Sequence, residues 1–131
     1  MNATGSILLD TSVVVGYFRQ DANLHAKIEQ VNDVYLPSVV LGELLYGAHK
    51  SVQRAKMLEQ VKAFSDGCIL LLPDEATAEL YGQIKAELSV AGKAIPQNDI
   101  WIAAAAKEHD LPVATRDQHF SFVSGLTILP W

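Results

Sequence analysis

Short apolar runs alternate with helix-length segments along almost the whole chain, and this alternation constrains the fold more than any other feature. "SILL", "DVYLP", "CILLL", "LPVAT" and "LTILP" read as strands. Between them, "TSVVVGYFR", "ANLHAKIEQV", "VVLGELLYGAHKS", "VQRAKMLEQVKAFS", "DEATAELYGQIKAELSVAG" and "NDIWIAAAAKEHD" read as helices. Val52, Ala55, Leu58, Val61 and Phe64 keep helical spacing in the fourth of these. Ser38 and Asp74 stand where N-caps are expected, and Gly67 and Gly92 where helices end. Strands joined by helices pair in parallel and are buried on both faces. The expected fold is therefore α/β, a three-layer α/β/α domain around a parallel sheet of about five strands.

At 131 residues and half apolar, the chain has the size and composition of one globular domain, taken here as residues 1–131. No apolar run reaches the roughly 18 residues of a membrane span, and no basic segment leads into a secretory signal. Cys68 is the only cysteine, so no intrachain disulfide is possible, and its place in "CILLL" suggests an inert thiol. A cytoplasmic protein without membrane contact is expected. The formal net charge of −5 by itself opposes a nucleic-acid partner.

That charge is not evenly spread. "ILLDTS" drives an apolar strand into Asp10, and in an open parallel sheet the carboxyl ends of strands face the ligand crevice. Glu43 sits among Val39, Val40, Leu41, Leu44, Leu45 and Tyr46 in a segment with no polar face. A carboxylate there needs a basic partner or a cation. Asp99 begins a helix and Asp117 follows the strand "LPVAT". Individually, Asp10, Asp99 and Asp117 could each be a helix cap or turn residue. Together the four acids fall at one edge of a parallel sheet, where they would repel one another without countercharge. A hard divalent cation, Mg²⁺ or Mn²⁺, is the simple remedy. Zinc is disfavoured, because no two of His25, His49, His109 and His119 have ligand spacing.

An acidic metal site suits phosphoryl transfer by activated water. "GELLYG" lacks the Lys-Ser/Thr pair of a nucleotide-binding P-loop, and no serine lies in a G-x-S-x-G elbow. A phospho-acceptor receiver domain would need paired acids after the first strand and a late lysine, where "LLDTS" has one acid and "VATRD" no lysine. A haloacid-type phosphotransferase would need a second aspartate where Ser12 stands.

"LLDTSVVVGYF", "LPSVVLGELLYGA", "IPQNDIWIAAAA" and "VATRDQHF", in this order, resemble the motifs of the PIN domain family of metal-dependent ribonucleases. In length and motifs the chain is similar to the family's VapC-type toxins. The resemblance implies an endoribonuclease that hydrolyses RNA phosphodiester bonds with metal-activated water, inhibiting translation and growth. It places Asp10, Glu43, Asp99 and Asp117 at the Mg²⁺- or Mn²⁺-binding acidic positions, and Thr11, Ser12, Asn98 and Thr115 at supporting ones. Phe120 of the tail motif reads as packing, and His119 receives no role. The resemblance also implies a homodimer, a cognate antitoxin, and promoter DNA bound only through that antitoxin. The helix pair from Val39 to Phe64, with Leu44, Leu45, Met57 and Leu58, is either the antitoxin's docking surface or plain core. Arg116 is the better candidate for holding an RNA backbone; Lys50, Arg54 and Lys56 read more simply as a solvated face. The competing readings are a non-catalytic interaction module on the same fold, or a nuclease of this family outside any toxin–antitoxin system.

Overall fold

The computed structural model describes residues 4–131. Five strands, β1 (Thr4–Leu9), β2 (Val31–Pro37), β3 (Ile69–Leu71), β4 (Val113–Thr115) and β5 (Ile128–Pro130), form one sheet in the order β3-β2-β1-β4-β5. Every neighbouring pair is parallel. Six helices connect them: α1 (Thr11–Phe18), α2 (Ala22–Glu29), α3 (Ser38–His49), α4 (Arg54–Asp66), α5 (Glu75–Val90) and α6 (Gln97–Glu108). The expected three-layer α/β/α architecture is the observed one.

Burial of β1 explains the layers. Successive strand residues point to opposite faces. Ile7, Leu8 and Leu9 are all fully buried, so both faces of the central strand are covered. Val113 and Ala114 of β4 are buried in the same way, and Val13, Leu24, Leu36, Val40, Ile84, Ile102 and Phe120 are among the residues that pack around them. The alanine run Ala103–Ala106 is buried, which lets α6 sit close to its neighbours.

Strand order positions the site. The chain builds outward from β1 through β2 to β3, then returns through α5 and α6 to place β4 on the other side of β1. The order reverses between β1 and β4, the switch point where open α/β sheets bind ligands. Leu9 pairs in register with Ala114, so Asp10 and Thr115 emerge side by side at the carboxyl edge.

Some local expectations change. Ser38 is the first residue of α3 and makes no cap; Pro37, at φ −64°, precedes it and sets the entry. Asp74 does cap α5, in a reciprocal box with Thr77. Gly92 ends that helix at φ +70°, a conformation that favours glycine. Packing of α3 on α4 accounts for much of the apolar surface read as either antitoxin dock or plain core: Leu44 is buried, and Leu45, Met57 and Leu58 are partly buried against the core. The exposed apolar side chains on that part of the chain are Tyr46 and Val52. Cys68 is half-buried, donates to the Phe64 carbonyl, and has its thiol pushed up to about 11 by burial, as an inert cysteine should. Among the described residues, no helix is long and apolar enough to cross a membrane.

Candidate metal centre

Asp10 is the residue just before α1, yet its side chain makes no cap hydrogen bond. Its Oδ2 instead accepts from the hydroxyls of Ser12, at 2.8 Å, and Thr115, at 2.7 Å. These two bonds hold a buried carboxylate, 3% exposed, in one orientation. Ser12 Oγ in turn accepts from the Arg116 backbone N–H, and Thr115 Oγ1 from that of Asp117. The loop after β4 is thus fastened to the first turn of α1.

Glu43 lies on α3, partly buried. Its Oε1 accepts from the Thr11 hydroxyl, and its Oε2 from the Asn98 amide at 3.2 Å. The basic partner considered for it is absent: among the described residues, no lysine or arginine pairs with Asp10, Glu43, Asp99 or Asp117.

Asp99 is the third residue of α6, preceded by a Pro96 start, and no side-chain cap is made at that helix. Its carboxylate is buried, 8% exposed. Burial first, then the negative charges of Asp10, Asp117 and Glu43, push its pKa up to about 7 against the usual 3.8; His119 opposes the shift. One aspartate on α6 therefore feels acids from the end of β1, from α3 and from the loop after β4 together. Asp117 is partly the turn residue considered for it. Its Oδ1 accepts from the backbone N–H of His119 and opens a short 3-10 turn, Gln118–Phe122.

His119, given no role by its sequence position, stands among these groups. Its Nδ1 lies 3.0 Å from Asp117 Oδ1 and 3.8 Å from Asp99 Oδ2. One ligand atom each from Asp99, Asp117 and His119 fall within 4.8 Å of one another. Its nearness to Asp99 comes from packing of the 3-10 turn against α6, which no local motif encodes.

Arg116 is engaged by partners within the fold. Its Nε donates to the Trp131 carbonyl, and its Nη2 pairs with Asp21 at 2.8 Å, holding that carboxyl below its usual range. Arg54 donates to the His49 carbonyl at the end of α3, and Lys50 lies 4.7 Å from the Tyr46 ring centre. Both contacts are local.

The donor set fits a divalent cation. It is built from carboxylate oxygens, it holds an excess of negative charge that raises Asp99, and it lacks a cationic side chain other than His119 when protonated. Zinc-type cysteine ligation is excluded by the position of Cys68 on the far-edge run before β3.

The PIN domain family model matches residues 7–126. Toxin FitB of Neisseria gonorrhoeae is 34% identical over 137 aligned positions, covering 95% of this chain and 98% of that protein. The tRNA(fMet)-specific endonuclease VapC of Shigella flexneri is 35% identical over 97, covering 73% and 74%. Among solved structures, VapBC-5 from Mycobacterium tuberculosis, a member of the VapBC family of toxin–antitoxin systems, superposes with a TM-score of 0.75 at 28% identity over 95% of each chain.

Proposed function

This chain belongs to the PIN domain family, and from that premise we propose that it is a metal-dependent endoribonuclease, the toxin of a toxin–antitoxin pair. The observation that carries the reading is Asp99: a buried aspartate with three further carboxylates acting on it and no lysine or arginine to balance them. Such charge is tolerated when a cation belongs there. Bound Mg²⁺ or Mn²⁺ would supply activated water and neutralise charge developing at phosphorus.

The chain's own residues do the rest. Asp10, Glu43, Asp99 and Asp117 would hold the ion. Ser12 and Thr115 fix Asp10; Thr11 and Asn98 fix Glu43. Arg116 acts from a distance, tying the loop that carries Asp117 to Asp21 and to the C-terminal residue. The net charge of −5 ceases to oppose an RNA substrate, since four of the acids belong to the ion.

Transfer RNA is the first substrate to test, given the relative of that specificity. Cleavage should require the divalent ion, stop in EDTA, and leave 5′-phosphate and 3′-hydroxyl ends, as in-line attack of activated water on phosphorus would give. Ends carrying 2′,3′-cyclic phosphate would assign the attack to the RNA itself and overturn this mechanism.

A cognate antitoxin is the partner that fits, and promoter DNA would be met through it. A homodimer is part of the same proposal. Tyr46, Val52, Leu70, Leu72 and Val90 are exposed apolar side chains that one small domain leaves uncovered. Sedimentation at micromolar concentration should give twice the 14.3 kDa chain mass; a monomer would remove the dimer from the proposal.

A further inference from the structure

Among the chain's histidines, His119 alone faces two carboxylates of the site. Its imidazole could be a bystander in the Asp117 turn, an internal counter-cation that any metal must displace, or a ligand. Three observations favour the ligand. Nδ1 is in reach of both Asp117 and Asp99, which come from different elements, so it faces the interior of the site and not just its own turn. The three ligand atoms lie within 4.8 Å of one another, and metal–donor bonds are about 2.0–2.2 Å long, so one ion can be shared with modest side-chain adjustment. The backbone N–H of His119 is bonded to Asp117 Oδ1 at 2.9 Å, which fixes where the ring starts and reduces the entropy lost on ligation.

Two of the other three histidines are engaged elsewhere. His25 stacks on Tyr17 and contacts that residue's carbonyl, and His109 lies beside Glu108.

We infer that His119 donates an imidazole nitrogen to the ion held by Asp99 and Asp117, making a mixed nitrogen–oxygen centre that prefers a first-row transition ion over Mg²⁺. The inference rests on the proposed nuclease reading of this site and adds to it the identity of the favoured metal. Mg²⁺ takes oxygen donors and parts reluctantly with water, so it gains little from an imidazole. Transition ions gain more, in the order Mn²⁺ < Fe²⁺ < Co²⁺. The acidic positions alone would leave Mg²⁺ and Mn²⁺ on similar terms; the nitrogen separates them.

The test is equilibrium binding of Mn²⁺, read from the free-ion electron paramagnetic resonance signal, and of Mg²⁺ by its displacement of Mn²⁺. Wild type, His119→Gln and His119→Ala are compared in the absence of RNA. Both variants should lose about tenfold or more in Mn²⁺ affinity and stay within roughly threefold of wild type for Mg²⁺. Retained Mg²⁺ binding also shows that the variants are folded. Co²⁺ should give a visible d–d spectrum in wild type that changes in both variants.

Unchanged Mn²⁺ affinity would make His119 a turn residue, and increased affinity would make it the displaced counter-cation. Equal loss for both metals would make its role structural. Each of these overturns the inference while leaving the metal-dependent nuclease intact. If wild type binds neither ion, the nuclease reading fails as well, and the two failures are distinguishable.

Discussion

Asp10→Asn should slow RNA cleavage by roughly two to three orders of magnitude while the protein still folds. The substitution keeps the shape. Asparagine's carbonyl oxygen can accept the Ser12 and Thr115 hydroxyls that Asp10 Oδ2 accepts now. The fastening of the loop after β4 to the first turn of α1 therefore survives. What is lost is the negative charge on a buried group at the switch point, and with it one of the four proposed carboxylate ligands. Metal stabilisation of a phosphoryl transition state amounts to several kcal/mol, and each 1.36 kcal/mol is a factor of ten in rate. Single-turnover cleavage at saturating metal, together with thermal melting, measures both halves. A variant that cuts RNA within about threefold of wild type would take Asp10 out of the chemistry. A variant that fails to fold would instead assign the carboxylate a structural duty, and Ser12→Ala should then destabilise as well.

Parts of this site are readable in the sequence because they depend on local pattern. The apolar run ending in Asp10 announces a buried strand and a carboxylate at its tip. Glu43 stands out because its helix segment has no polar face. The strand order is not readable, since nothing in "LPVAT" says that β4 pairs with β1. Neither is the distinction between central and edge strands. "CILLL" looks as buried as "SILL", yet Ile69 and Leu70 of β3 are exposed at the sheet's edge, where only one neighbour covers them. His119 and Arg116 show the same limit in opposite directions. His119 carries no zinc-type spacing and gains its place through the 3-10 turn packing on α6. Arg116, beside Asp117 in sequence, turns out to be engaged by Asp21 and the Trp131 carbonyl. Tertiary packing decides both, and a one-dimensional pattern has no access to it.

The clustering of charge predicts a second large effect, on stability without metal. Asp99 titrates near 7 in the fold and at about 3.8 when unfolded. A raised carboxyl has the opposite sign from the usual salt-bridged acid. Below about pH 4 both states hold the proton, and Asp99 contributes nothing. As pH rises from about 4 to 7 the unfolded chain releases a proton that the fold still retains, so native stability falls across that window. Above 7 the fold carries the full penalty of an ionised Asp99 facing Asp10, Asp117 and Glu43. A shift of this size corresponds to at most about 4 kcal/mol, reduced by relaxation and by water entering the site. Asp99→Asn removes the charge and keeps the volume. In EDTA at pH 8 it should therefore melt above wild type, by roughly 5–15 °C for a gain of about 2–4 kcal/mol. The gap should close as the pH falls toward 4. Saturating Mn²⁺ or Mg²⁺ should reverse the order, because binding to the native state stabilises by mass action and wild type binds more tightly. Melting curves at pH 4.5, 6 and 8, each in EDTA and in metal, complete the measurement. If Asp99→Asn melts below wild type in EDTA at pH 8, and metal raises both equally, Asp99 is only an acidic residue in the first turn of α6, stabilised by the helix dipole. The four-carboxylate centre would then lose the member on which the other three converge.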